Sequence, residues 1–269
     1  MGMPIGTEIR LSYLLPPERS GALLLDLSKA GSVGALPGLE KLEDRLPQLC
    51  REFDGLILNP GPAEKFANYL GGKRTSAPLV RADWTNAYRP KDFAMNLQKI
   101  KWVTISDVQD VLALGASGAI VSLLMGFDDQ FEAENIETIS RLARACYGLS
   151  LPIAVEICPI GPKITDVNFD GSVKLGVSCM MEAGADMLIV PTTTDETREL
   201  LGKWPAVPVL EKMEKIPSAK EVEHLLAFGY RGVVLTEAVL EEKLHVDRLT
   251  ELQLALRANE NALPKSKTQ

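Results

Sequence analysis

Imidazoles are nearly missing from this chain of 269 residues, which carries only His224 and His245. Both fall late, in helix-like stretches, and read as surface residues, so a His-rich metal centre or a His-based triad is not expected. Cysteines are four, Cys50, Cys146, Cys158 and Cys179, far apart and without a C-x-x-C pair. That argues against a zinc ribbon or dithiol redox motif and points to reduced thiols in a cytoplasmic protein. Apolar runs such as Ala119–Met125 fall far short of the ~20 residues that span a bilayer. The first residues, Met1-Gly2-Met3-Pro4, are neither basic nor strongly apolar, so no standard secretion signal is expected. Lys/Arg-rich runs are absent, the net charge is −7 and the pI is near 5.1, which disfavours nucleic-acid and membrane partners. No Gly-x-Gly-x-x-Gly follows a first strand, and no cofactor is expected.

What the chain does have is a repeated sentence. Hydrophobic content is 46% and mean hydropathy +0.03, ordinary for a chain with a sizeable buried core. Three segments, Ser106 to Val121, Gly171 to Val190 and Ser218 to Leu235, each read as an amphipathic helix, a glycine and a short apolar strand. Ser106 with Gln109, and Ser218 with Glu221, fit capping boxes that satisfy free N–H groups at a helix start. Gly115, Gly184 and Gly229 fall where a left-handed residue closes the helix. Helix–glycine–strand units in series imply a parallel sheet, because parallel strands need a crossover.

Strands are read at Ala22–Asp26, Gly55–Asn59, Pro78–Asp83, Ala119–Leu124, Pro152–Cys158, Met187–Pro191, Val207–Glu211 and Gly232–Thr236. Most are continuous apolar runs, as expected of strands buried on both faces. Helices fit Leu39–Phe53, Ala63–Leu70, Ser106–Gly115, Asp129–Tyr147, Val173–Ala183, Asp195–Leu201, Ala219–Phe228 and Thr250–Asn259. Eight alternations without a linker define an α/β fold, a single (β/α)8 TIM barrel over residues 1–260, with a polar tail over 261–269. A doubly wound open sheet is the competing fold. Thr85–Trp102 and Pro159–Asp170 read as long loops at the C-terminal face, where such barrels place their pockets.

These segments resemble the superfamily of class I aldolases that includes archaeal-type fructose-bisphosphate, deoxyribose-phosphate and tagatose-bisphosphate aldolases. The resemblance runs roughly from Leu23 to Leu240. It rests on Leu23-Leu24-Leu25-Asp26 with Leu36-Pro37-Gly38-Leu39-Glu40, on Asp54-Gly55-Leu56-Ile57-Leu58-Asn59-Pro60-Gly61, on Leu114 to Val121, on Leu151 to Gly161, and above all on Glu182-Ala183-Gly184-Ala185-Asp186. It implies a barrel that forms a Schiff base with a substrate carbonyl, and assembly into homo-oligomers. The departures are as informative. The family's imine lysine corresponds to Ile189, give or take one residue; its Trp, Tyr and Arg on the fifth barrel strand correspond to Glu156, Cys158 and Ile160. Its Gly-Gly phosphate cradle gives way to Leu210-Glu211-Lys212-Met213-Glu214, and its Gly-Arg phosphate contact to Leu235-Thr236-Glu237-Ala238. Asp26 keeps a family catalytic position.

In a barrel, the strand ends gather Asp26, Asn59, Arg81, Asp83, Glu156, Cys158, Thr192, Glu211, Lys212 and Glu237 around one opening. Lys212 corresponds to a second lysine of the deoxyribose-phosphate aldolases and is the candidate for a relocated imine lysine, with Asp26 and Glu156 moving protons. Its bland alternative is a salt-bridged lysine, and the neighbouring Glu211 and Glu214 favour that. Arg81 and Asp83 are either a carboxylate clamp or an internal pair, and Cys158 either a ligand contact or a buried thiol. Asn59, Thr192, Glu211 and Glu237 are further candidates for substrate contact. The carboxylates are oxygen donors of the kind Mg²⁺ takes, but their spacing forms no metal motif, and no metal ligands are assigned. The expected activity is an aldolase-like lyase on a small carbonyl or sugar-like compound, without the usual phosphate site. An inactive aldolase-like barrel that binds a metabolite or protein, and a metal-assisted lyase or isomerase, remain the alternatives.

Overall fold

Eight short apolar runs become strands because each is buried on both faces, and they close into one parallel barrel. The computed structural model describes residues 2–34, 42–72, 75–89, 93, 99–240 and 246–257. The polar tail, His245 and the starts of the helix expected from Leu39 lie outside them. In chain order the elements are α1 Ile5–Leu14, β1 Ala22–Asp26, α2 Ala30–Val33, α3 Leu42–Glu52, β2 Gly55–Leu58, α4 Pro60–Lys65, α5 Ala67–Leu70 and β3 Ala77–Arg81. A hairpin follows, β4 Asp83–Thr85 and β5 Trp102–Thr104, then α6 Val108–Ala113, β6 Gly118–Met125, α7 Asp129–Gly148 and β7 Ile153–Pro159. The last third holds α8 Phe169–Ala183, β8 Met187–Pro191, α9 Asp195–Lys203, β9 Val209–Met213, α10 Ala219–Phe228, β10 Gly232–Thr236, a 3₁₀ turn Glu237–Leu240 and α11 Val246–Arg257. The barrel runs β1-β10-β9-β8-β7-β6-β3-β2, all parallel, so it is a (β/α)8 barrel.

Strand alternation divides the core in two. Outward residues such as Leu23, Leu56, Val121, Val155, Leu188 and Val233 pack under the helices. Inward residues, among them Leu24, Ile57, Leu79, Ile120, Ala154, Ile189, Leu210 and Val234, fill the barrel as an apolar plug. Helix α1 closes the N-terminal end with Leu11 and Leu14, which join that inner cluster. One layer further along the strands, toward their C-terminal ends, the inward positions turn polar: Asp26, Arg81, Ser122, Glu156, Lys212 and Thr236.

Several local expectations were refined. The Ser218–Glu221 capping box is present at α10, whereas at α6 the box is made by Asp107 and Asp110, one residue later than Ser106 and Gln109. Helices α8 and α10 end on left-handed Gly184 and Gly229, at φ 92° and 109°. The third barrel strand stops at Arg81, and Asp83 starts the hairpin, pairing antiparallel with Thr104. The seventh runs Val209–Met213 rather than from Val207, which puts Lys212 inside the strand. Among the described residues no helix is long and apolar enough to cross a membrane.

Candidate active site

Lys212 points inward because it lies two residues beyond Leu210, on the same face of β9. Its Nζ donates to Asp26 Oδ2 at 2.7 Å and to Glu156 Oε1 at 2.5 Å. Arg81, from β3, enters the same layer: Nη2 lies 2.6 Å from Glu156 Oε2 and 3.4 Å from Asp26 Oδ2. Two cations thus share two carboxylates. Serines set the geometry. Arg81 Nε donates to Ser28 Oγ at 2.6 Å and Nη1 to Ser122 Oγ at 2.7 Å, while Ser28 N and Oγ donate to Asp26 Oδ1. Behind the guanidinium, Asp83 lies 3.4 Å from Nη1 and is fixed by Trp102 Nε1 at 2.7 Å and the Ser122 N–H at 2.9 Å. The hairpin therefore buttresses the arginine from outside the barrel.

Charge decides protonation here. Burial disfavours the ionised form of Asp26, but Lys212 and Arg81 outweigh it and hold the carboxyl well below the usual carboxylate range. Glu156 is lowered in the same way, its burial overcome by Lys212 and Arg81. Burial alone would neutralise Lys212; Asp26 and Glu156 reverse that and push its ammonium well above the ordinary lysine value. The resting site is an ion-pair network with a protonated amine.

The network floors a cavity of ≈ 300 Å³, lined also by Lys29, Tyr88, Cys158, Pro159, Ile160, Phe169, Pro191, Glu214 and Glu237. Cys158 is buried and lies 3.2 Å from the Tyr88 hydroxyl. Burial and the nearby Glu156 raise its thiol far above the usual range, so it is no thiolate. Burial, with Cys158 and Glu156, likewise keeps Tyr88 a neutral phenol. Glu237 meets Lys29 at 3.4 Å, and burial raises its carboxyl.

Of the residues read from sequence, Asp26, Arg81, Glu156, Cys158, Lys212 and Glu237 come together in this cavity. Asn59 sits at the end of β2 and donates to the Ser28 carbonyl at 2.7 Å, supporting the loop that carries Ser28. Asp83 stands behind Arg81. Glu211 faces the other way: fully buried on the outer side of β9, it accepts from Arg198 Nη2 at 2.6 Å, Arg198 Nε at 2.9 Å and Thr192 Oγ1 at 2.8 Å. Thr192 is thereby tied to Glu211 on the outer side of β9 rather than to the cavity. Ile189 lies in the apolar plug, 1% exposed, beside Glu156 in register. Tyr88, Ser28, Ser122, Lys29 and Phe169 were not singled out from sequence. Ser122 had a signal, being two residues past the inward Ile120; Tyr88 had none.

The eight parallel strands thus form a (β/α)8 barrel with Lys212 held between two carboxylates at its C-terminal mouth. The fold is that of archaeal-type class I fructose-bisphosphate aldolases. A solved structure of the Schiff-base-forming fructose-1,6-bisphosphate aldolase aligns over 93% of this chain and 99% of that one, with TM-score 0.75 and 21% identity. In sequence, the class 1 fructose-bisphosphate aldolase of Thermoproteus tenax is 26% identical over 200 residues, 71% of this chain and 70% of that protein. The 2-amino-4,5-dihydroxy-6-oxo-7-(phosphonooxy)heptanoate synthase of Streptomyces griseus is 24% identical over 186 residues, 69% of this chain; the match spans 64% of that relative's length. No family model matches the chain.

Proposed function

We propose that this protein is an aldolase-type lyase that makes or breaks a C–C bond in a small oxygenated carbonyl compound, through an imine on Lys212. The observation that carries the reading is the Lys212 ammonium on the cavity floor, bonded at 2.7 and 2.5 Å to two carboxylates. One of them, Glu156 or Asp26, takes a proton, and the freed amine attacks the carbonyl carbon. The adduct's nitrogen passes a proton to the new oxygen; the carboxylic acid returns its own there, and water leaves an iminium. In cleavage, a carboxylate then removes the proton of the hydroxyl β to the iminium. The C–C electrons move into the iminium, and an aldehyde departs from the enamine. Arg81, bonded to both carboxylates, holds them in place.

The substrate of this reading carries no phosphate on the side of the mouth where α9 and α10 follow the sixth and seventh barrel strands. A phosphate would seek free N–H groups at a helix N-terminus. Helix α9 opens with Asp195 and Glu196, and α10 is closed by the Ser218–Glu221 box. Among the described residues, the cavity also holds four carboxylates, Asp26, Glu156, Glu214 and Glu237, against three cations, Lys29, Arg81 and Lys212.

One observation favours a second reading, a barrel that binds without catalysis. The raised Lys212 is stabilised as a cation, whereas an imine lysine needs its neutral amine. Borohydride trapping separates the two. With hydroxyacetone or glycolaldehyde, the imine reading expects a reduced adduct on the Lys212 peptide, lost in Lys212→Met. A wild-type protein that traps neither carbonyl, or an adduct that persists in Lys212→Met, sinks it.

A further inference from the structure

The cavity has a second wall that the network does not use. Pro191 is the register partner of Lys212, so an apolar surface begins directly beside the amine. It continues through Pro159, Ile160 and Phe169, all lining the same cavity. None of these side chains offers a hydrogen bond.

Ile160 is held there by backbone rather than left there by looseness. Its N–H donates to the Cys158 carbonyl at 3.0 Å, and the next N–H, of Gly161, to Met125 at 2.8 Å. Gly161 is packed so close to Gly126 that an added Cβ would stand 2.2 Å from the Gly126 carbonyl carbon. Two backbone hydrogen bonds and this close packing position the turn, which leaves Ile160 43% exposed at the cavity mouth. Phe169 is fixed as the first residue of α8 and packs partly on the outer core. An exposed isoleucine and a partly buried phenylalanine facing a small cavity are apolar surface that a ligand can remove from water.

We infer that the ligand of this site is an oxo compound with an uncharged aliphatic or aromatic substituent, its oxygenated end on the Lys212 floor and its apolar group against Pro159, Ile160, Phe169 and Pro191. The inference deepens the aldolase reading, but the apolar contact requires no imine. A cavity of ≈ 300 Å³ limits that group to a short branched chain or a single ring.

Calorimetric titration of the intact protein at pH 7 tests it with four probes: hydroxyacetone, 1-hydroxy-4-methyl-2-pentanone, dihydroxyacetone phosphate, and 4-methylpentane-1,2-diol, which cannot form an imine. The branched hydroxyketone is expected to bind about tenfold or more tighter than hydroxyacetone, the range a few buried methylenes give. It should also outbind dihydroxyacetone phosphate. Ile160→Asn, at a half-exposed position, should remove most of the gain; Phe169→Ala, checked for an unchanged melting temperature, should do the same. Equal affinity for hydroxyacetone and its branched relative, or preference for the phosphate, overturns the inference. The diol separates the two readings. If it binds through Ile160 while borohydride traps nothing, the apolar wall stands and the imine falls. If trapping succeeds on Lys212 with no apolar gain, the imine stands and the wall falls.

Discussion

Lys212 illustrates how far one side chain depends on its neighbours' charge. Its folded pKa is raised because Asp26 and Glu156 outweigh the burial that opposes it, and theirs are lowered in turn by Lys212 and Arg81. The lysine's contribution to stability is present below its unfolded pKa and is lost only as pH rises through the raised folded value. The carboxylates' contribution is present above about pH 4, their ordinary range, and is lost as pH falls through the depressed folded values. In Lys212→Met the two carboxylates lose one of the two cations they share and keep Arg81. The variant is expected to be less stable at pH 7 by about 3 kcal/mol, the order found when one member of a buried pair is removed. The deficit should shrink by pH 3, where the wild type loses what the variant no longer has. Urea unfolding at the two pH values checks this; a deficit that stays constant means the pairs do not govern the titration. The same protonation makes trapping on Lys212 climb with pH from 6 to 9 without a plateau.

At the scale of elements, β9 joins two separate polar systems because consecutive residues of a strand face opposite ways. Lys212 enters the barrel, and Glu211 turns out toward α9, where Arg198 meets it with two hydrogen bonds. Glu211 is wholly enclosed, so Arg198→Leu should destabilise by about 3 kcal/mol, whereas Arg198→Leu with Glu211→Leu together should cost far less. Chemical denaturation of the single and double variants decides it; equal losses would mean that packing, not charge, holds α9 to β9. Alternation was also the limit of what could be read beforehand. Asp26, Glu156 and Lys212 were visible as polar residues within or just after apolar runs. Their layer was not, because the phase of each strand depends on a register only the closed barrel fixes. The apolar Val207-Pro208 drew the seventh strand two residues early. The β4–β5 hairpin escaped because Thr85 finds its partner only at Trp102, and exposed Val103 gives β5 no buried alternation. Tyr88 reaches the cavity from that hairpin's connection, a placement no local pattern encodes.

For the whole molecule, the barrel is two stacked interiors, an apolar plug below and a charged mouth above, and chemistry depends on what rises from one into the other. Eight strands converge on the mouth, so a long amine from a neighbouring strand can serve the same carboxylates. Ile189 lies beside Glu156 in register, one inward layer below Lys212 and about 7 Å lower along the strand direction. The double variant Ile189→Lys/Lys212→Met gives the plug an aliphatic stem in place of isoleucine and leaves Asp26 and Glu156 free to receive its ammonium. It is expected to recover borohydride trapping that Lys212→Met alone has lost. Its trapping should climb with pH as it does on Lys212, because the two carboxylates that receive the relocated amine favour its charged form. Circular dichroism and a melting curve establish that the variant is folded, and intact-mass and peptide analysis locate the adduct. Adduct on residue 189 shows that the mouth accepts its amine from either strand. A folded double variant that traps nothing shows instead that the approach from β9, alongside Pro191 and the apolar wall, is itself part of the chemistry.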